Sequence, residues 1–71
     1  MNPLHPKKLL NSKWTKVNVT NKLKHFSITK VSFDEDQNVI ECLIRAELNG
    51  QEIDINWREL KNTSLWLQGW K

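Results

Sequence analysis

The chain has 71 residues, 11 of them Lys or Arg against 8 Asp or Glu, with two histidines, one cysteine, four tryptophans and a formal charge of +3. A chain of this length is expected to make one domain over residues 1–71, whose single core leaves about 3 to 5 kcal/mol of net stability; it has no room for a cofactor domain or a cleft that keeps water from a reaction. No apolar run exceeds three residues, as in Cys42-Leu43-Ile44, far below the roughly 20 that cross a bilayer, and the first residues lack the apolar stretch of a secretory signal, so the expected compartment is the cytoplasm.

In chain order, Pro6 suits the first position of a short helical turn running through Leu10. Lys13 to Val17 reads as an extended segment anchored by Trp14, and the polar stretch Asn18 to Lys24 as a connecting loop. His25 to Phe33 is extended again, but its apolar phase slips between Phe26/Ile28 and Val31/Phe33. A β-bulge near Thr29 or Lys30 puts all four on one face, whereas a regular strand uses both faces, and both readings stay open. Asp34 to Asn38 is a tight polar turn that returns the chain antiparallel.

The strongest local signal follows. Ile40, Cys42, Ile44, Ala46 and Leu48 alternate with Glu41, Arg45 and Glu47, the pattern of a half-buried strand. Asn49-Gly50 favours a two-residue type I′ turn, after which Ile53 and Ile55 alternate with Glu52 and Asp54. That turn sets Leu48 opposite Gln51, Ala46 opposite Ile53, Ile44 opposite Ile55 and Arg45 opposite Asp54. At Asn56-Trp57-Arg58-Glu59 the pattern becomes that of a capped helical start. Asn62, Thr63 and Ser64 are good caps for a second helical piece, on which Trp66 and Trp70, four apart, share a side with Leu67. Burial of those indoles at the core or its edge is expected in preference to an exposed platform. The expected fold is therefore α+β, mainly antiparallel β: a three- or four-stranded meander with a short C-terminal helical segment packed on one face.

Asn2-Pro3, Pro6-Lys7-Lys8-Leu9-Leu10, Ser12-Lys13-Trp14-Thr15, Lys24-His25-Phe26, Thr29-Lys30-Val31, Trp57-Arg58-Glu59-Leu60-Lys61, Trp66 and Gln68-Gly69-Trp70 together resemble a family of small tryptophan-rich bacterial proteins of unknown function. The Ser-Lys-Trp-Thr and Trp-Arg-Glu-Leu-Lys blocks are the most specific, and Asn18 to Asn21 and Asp34 to Asn38 fit least. The resemblance implies a free-standing cytosolic bacterial domain and carries no site residues.

The residue types for most chemistries are missing or scattered. Two histidines and one inward-facing cysteine do not make a zinc site, so no metal and no cofactor is expected. Neither histidine sits in a pattern with a nucleophile, and Asp34, Glu35 and Asp36 lie on a solvated turn, so the chain is read as non-enzymatic. Charge is the informative feature. Residues 1–33 hold seven lysines and no acid, whereas residues 34–71 hold all eight acids against four Lys or Arg, so that +7 and −4 sum to +3. Cross-strand neutralisation within one domain accounts for this division. The favoured function is a binding module with a protein partner, monomeric by default. The alternative is nonspecific single-strand nucleic-acid binding, with Lys7, Lys8, Lys13, Lys16, Lys24 and Lys30 meeting phosphates and the interleaved Trp14, His25 and Phe26 stacking on bases.

Overall fold

A computed structural model describes residues 4–20 and 22–71. Asn2-Pro3, part of the family resemblance, and Asn21, inside the expected loop, lie outside the described residues. Five strands form one antiparallel sheet: β1 (Lys13–Thr20), β2 (Leu23–Phe33), β3 (Val39–Ala46), β4 (Glu52–Asp54) and β5 (Trp66–Gln68). Their order is β4-β3-β2-β1-β5, a meander whose last strand returns to pair with the first. Two 3-10 turns, Pro6–Lys8 and Trp57–Lys61, are the helical pieces among the described residues. The expected α+β class thus gives way to a nearly all-β one, and the three- or four-stranded meander gains a fifth strand.

The C-terminal helix does not form because the segment finds better hydrogen bonds on the open edge of β1. Asn56 accepts from the Arg58 amide through its side chain and starts the second 3-10 turn. That turn ends after Lys61, and the Asn62 carbonyl then accepts from the Leu65 and Trp66 amides while its side chain accepts from Ser64. The chain leaves this turn extended, with Trp66, Leu67 and Gln68 opposite Lys16, Thr15 and Trp14. Nothing inside a three-residue segment satisfies its own backbone as well as a neighbouring strand does.

The expected loop at 18–24 also shrinks. β1 continues to Thr20 and β2 begins at Leu23, with Lys22 in the left-handed region at φ 64°. By contrast, the 34–38 turn forms where the sequence puts it: the Asp34 carboxylate accepts from the Asp36 and Asn38 amides, and Gln37 takes the positive φ.

Pairing decides the phase slip in β2. Ile28 faces Ile44 and Lys30 faces Leu43, so Thr29 is the extra residue of a bulge. Val31 is thereby turned to the same face as Cys42, and Phe33 pairs with Val39 after a second irregularity. In the hairpin, Ile44 faces Ile53 and Arg45 faces Glu52, a register two residues away from the one the two-residue turn demands. The Gly50 amide donates to the Ala46 carbonyl and the Ala46 amide to the Gln51 carbonyl, closing a four-residue loop in which Gly50 has φ +72° and Asn49 does not adopt a positive φ. A displacement of two residues preserves alternation, so Ile53 and Ile55 remain on the face of Cys42 and Ile44.

That face holds the core of Leu9, Trp14, Phe26, Ile28, Cys42, Ile44, Ala46, Leu60 and Trp66. The first 3-10 turn delivers Leu9 and the second delivers Leu60; Trp66 meets Phe26 edge to face at 5.2 Å between centroids. Leu60 is the fully buried residue of its turn, with Trp57 partly buried against the same core, so its loss leaves a hole in the lid. Leu60→Ala is expected to lower unfolding stability by about 2 to 5 kcal/mol. Leu48→Ala, at a side chain 66 % exposed, is expected to change it by less than about 0.5 kcal/mol. Urea unfolding followed by tryptophan fluorescence measures both.

Candidate functional site

The residues that the sequence groups as anion contacts do not share a surface. Trp14 and Phe26, expected to stack on bases, are instead 1 % and 4 % exposed in the core, so no ligand stacks on either. The Trp14 indole N–H donates to Ser12 Oγ at 2.8 Å, and Ser12 Oγ donates onward to the Leu9 carbonyl, joining the first 3-10 turn to β1. Lys7 and Lys8 sit on that turn and line, with His5, Pro6 and Gln37, a depression of about 370 Å³. Lys16 lines a groove of about 210 Å³ between the β4 side, with Ile53 and Ile55, and the β5 side, with Leu65 and Trp66. Lys24 alternates with His25 and so points to the other side of the sheet from it. Lys30 is engaged, its Nζ 3.0 Å from the Glu41 carboxylate on the neighbouring strand.

Lys13 and His25 come together from different strands, and a residue assigned to the core by spacing joins them. Trp70 follows Gly69, whose φ of +79° bends the chain after β5. The bend carries Trp70 to the outer face, opposite the face that buries Trp66. Its ring stacks on His25 at 5.7 Å between centroids with an interplanar angle of 27°. Lys13 Nζ lies over the indole at 4.8 Å, within range of a cation–π attraction. The indole N–H donates to the Phe26 carbonyl at 2.9 Å, yet the side chain stays 44 % exposed. The helical reading hid this. In a strand followed by a glycine bend, positions 66 and 70 fall on opposite faces, and Gly69 was the available signal.

Thr15 holds the last residues in place. Buried beneath them, its hydroxyl donates to the Gly69 carbonyl at 2.7 Å and accepts from the Lys71 amide at 2.8 Å. The Gly69 amide donates to the Lys13 carbonyl, and Nε2 of His25 lies 3.2 Å from the Lys71 carbonyl oxygen. Around this latch the outer face is apolar along β1 and β5. Leu67 is directly opposite Thr15 and Val17 is its diagonal neighbour, both exposed, with Val19 next along the strand.

Further across the same face the acids are already occupied. Glu47 accepts from the Ser27 hydroxyl and pairs with Arg45 at 3.5 Å; Glu52 accepts from Thr29. The Ser27 hydrogen bond, helped by the Arg45 and Lys13 charges, holds the Glu47 carboxyl below its usual range. The Lys30 hydrogen bond and charge do the same for Glu41. On the core face, burial pushes the Cys42 thiol up to about 11, with the Asp54 charge adding to it, so Cys42 is a packing residue with little thiolate at neutral pH. Among the described residues, no group of three His, Cys, Asp or Glu is placed to hold a metal ion, and no helix is long and apolar enough to cross a membrane.

Two outcomes test this geometry. Thr15→Val removes a donor and an acceptor from the latch and is expected to cost about 1 to 3 kcal/mol. The indole N–H resonance of Trp70 is expected to move to its unstructured position while those of Trp14 and Trp66 stay shifted. The second concerns acid. Glu41 and Glu47 have folded pKa values below their unfolded ones, so their contribution is present above the ordinary carboxylate value of 4.5 and is lost as pH falls through the lowered folded values. The stability gap between the native chain and the Glu41→Gln/Glu47→Gln double variant is therefore expected at pH 6 and to vanish at low pH. Both carboxylates are partly exposed, so added salt is expected to narrow the gap. Urea midpoints against pH at two salt concentrations read it.

Comparison with curated proteins gave no match, and comparison with solved structures gave none either. Residues 12–71 match a family described as tryptophan-rich proteins. That span begins at Ser12, runs through all five strands, and takes in the four tryptophans, the two that enter the core and the latch at Trp70 among them. The chain belongs to the tryptophan-rich protein family DUF2389.

Proposed function

We propose that the chain acts as a non-enzymatic binding module whose partner is a protein. The observation that supports this reading is the exposed apolar strip of Val17, Leu67 and Trp70 on the outer face of β1 and β5. A small domain gains by burying such groups. Here Val17 and Leu67 are diagonal neighbours on adjacent strands and Trp70, fixed by a hydrogen bond and by stacking, is half exposed on the same face; exposed apolar surface of this kind marks sites where another molecule completes the burial. A rigid, half-exposed indole is also the kind of residue that dominates protein interfaces, because little side-chain freedom is left to lose on binding.

One observation favours the second reading, nonspecific binding of single-stranded nucleic acid. Among the described residues the lysines at 7, 8, 13, 16, 22 and 24 form no ion pair, so the one close cross-strand pair of the basic half is Lys30 with Glu41, while Lys13 acts on Glu47 at longer range. Against it stands their placement. The turn bearing Lys7 and Lys8 lies on the core side, where it delivers Leu9, and Lys16 lines the core-side groove, whereas Lys13 is on the outer face. A phosphate backbone needs a continuous cationic track.

A photo-crosslinking residue at Leu67 is expected to trap a polypeptide in the native cell, and the same residue at Leu48 is expected to trap none. An adduct that is destroyed by nuclease selects the nucleic-acid reading, and no adduct at Leu67 counts against both.

A further inference from the structure

We infer that the open edge of β4 takes up an extended segment of another protein as a sixth strand, with an apolar side chain across from Ile53 and Lys or Arg across from Glu52 and Asp54. This surface is separate from the Trp70 strip and does not rest on it. The Ala46 amide donates to the Gln51 carbonyl and the Ile55 amide to the Cys42 carbonyl. The bonds of β4 toward β3 therefore fall at 51, 53 and 55, and the amides and carbonyls of Glu52 and Asp54 point away from β3. β4 ends the sheet, and among the described residues no other hydrogen bond meets those groups. Water satisfies them in the free chain; what matches their spacing in a partner is another extended backbone.

Alternation sets the side-chain chemistry. Ile53 is 44 % exposed although it turns to the core side, where with Ile55, Leu65 and Trp66 it borders the groove of about 210 Å³. Lys16 and Glu59, which also line that groove, carry opposite charges and give it no net sign. A strand laid along β4 directs every second side chain to this side, so an apolar one there covers Ile53 and the groove. On the other face its residues stand across from Glu52 and Asp54, where like charges repel and opposite ones attract. Thr29 donates to the Glu52 carboxylate, and Arg45, across from Glu52 in β3, is drawn to Glu47 at 3.5 Å. Asp54 forms no ion pair among the described residues, although Arg58 lines the depression beside it. Acidic segments are thereby disfavoured. So is a second copy of this chain, because two β4 edges set acid across from acid in every register that joins their outward groups.

The test uses the whole chain and the end-capped peptide Gly-Lys-Ile-Lys-Gly at millimolar concentration, followed by amide and indole resonances. The peptide is expected to shift the amides of Glu52, Ile53 and Asp54 and to leave the Leu67 amide and the Trp70 indole N–H in place. Whichever way it runs, an added strand turns only alternate amides toward β4. Of two N-methylated forms, one at both lysines and one at the isoleucine, one is therefore expected to bind about tenfold more weakly, the size of two lost hydrogen bonds, and the other to hold within twofold. Equal effects of the two methylations overturn strand addition. Glu52→Pro removes an outward amide at the first residue of β4, where proline is tolerated, and is expected to abolish binding while the tryptophan resonances stay dispersed. A peptide with Glu for each Lys is expected to bind about tenfold more weakly, and equal binding overturns the basic partner. Absence of binding, or shifts centred on Leu67 and Trp70 instead, overturns the inference and leaves the reading of the outer face to its own crosslinking test.

Discussion

A sheet has two faces, and 71 residues suffice to cover one of this sheet's. The Cα trace measures 38 × 26 × 15 Å, the proportions of a single curled sheet with a thin lid. The two 3-10 turns and Trp66 are all placed on one side, where Leu9, Leu60 and the indole close over Trp14, Phe26, Ile28 and Ile44. Every other feature follows from that choice. The outer face must be made compatible with water by hydroxyl–carboxylate pairs and by the last three residues folding back, and where neither reaches, apolar side chains stay exposed.

What was legible in the sequence is what depends on period, and what was not depends on partners. The alternation of β3 specifies Cys42, Ile44 and Ala46 as inward, and their phase survives a register displaced by two because the pleat repeats every two residues. Ile40 and Leu48 leave that set, 65 % and 66 % exposed, the first skipped at the irregularity beside Phe33 and the second in the loop after β3. Turn type was less secure: Asn49-Gly50 can supply two positive φ angles, but here only Gly50 takes one and Asn49 instead accepts from the Gln51 amide. The bulge at Thr29 was visible as a phase slip in β2, yet only the pairing with Ile44 and Leu43 selects it. The C-terminal segment misled for the opposite reason. A spacing of four between Trp66 and Trp70 fits a helix, but β1 has an unfilled edge, and that long-range opportunity outweighs local propensity in a segment too short to hold a helix alone.

The candidate site was half legible. Lysine and aromatic side chains in one stretch of sequence suggest one surface, but strand alternation distributes them between two, so Trp14 goes inward while Lys13 and His25 go outward. Trp70, remote in sequence, completes the outward pair. The signal for this is Gly69, a residue whose positive φ turns the chain across the edge of the sheet and so decides which face the last indole meets.

The same short segment therefore serves both faces. Trp66 seals the core and Trp70 anchors the latch, with a three-residue strand and a glycine between them. β5 is three residues long, and besides its ladder to β1 and the Thr15 latch it is seated by both indoles, Trp66 against Phe26 and Trp70 against His25. A ligand that settles on Leu67 and Trp70 also fixes the strand that keeps Trp66 inside. Its binding free energy enters the stability of the whole sheet by mass action, and a change that loosens the core lid at Trp66 weakens the outer surface in return. Two faces of a thin sheet are in this way linked through one strand, without any need for the sheet itself to move.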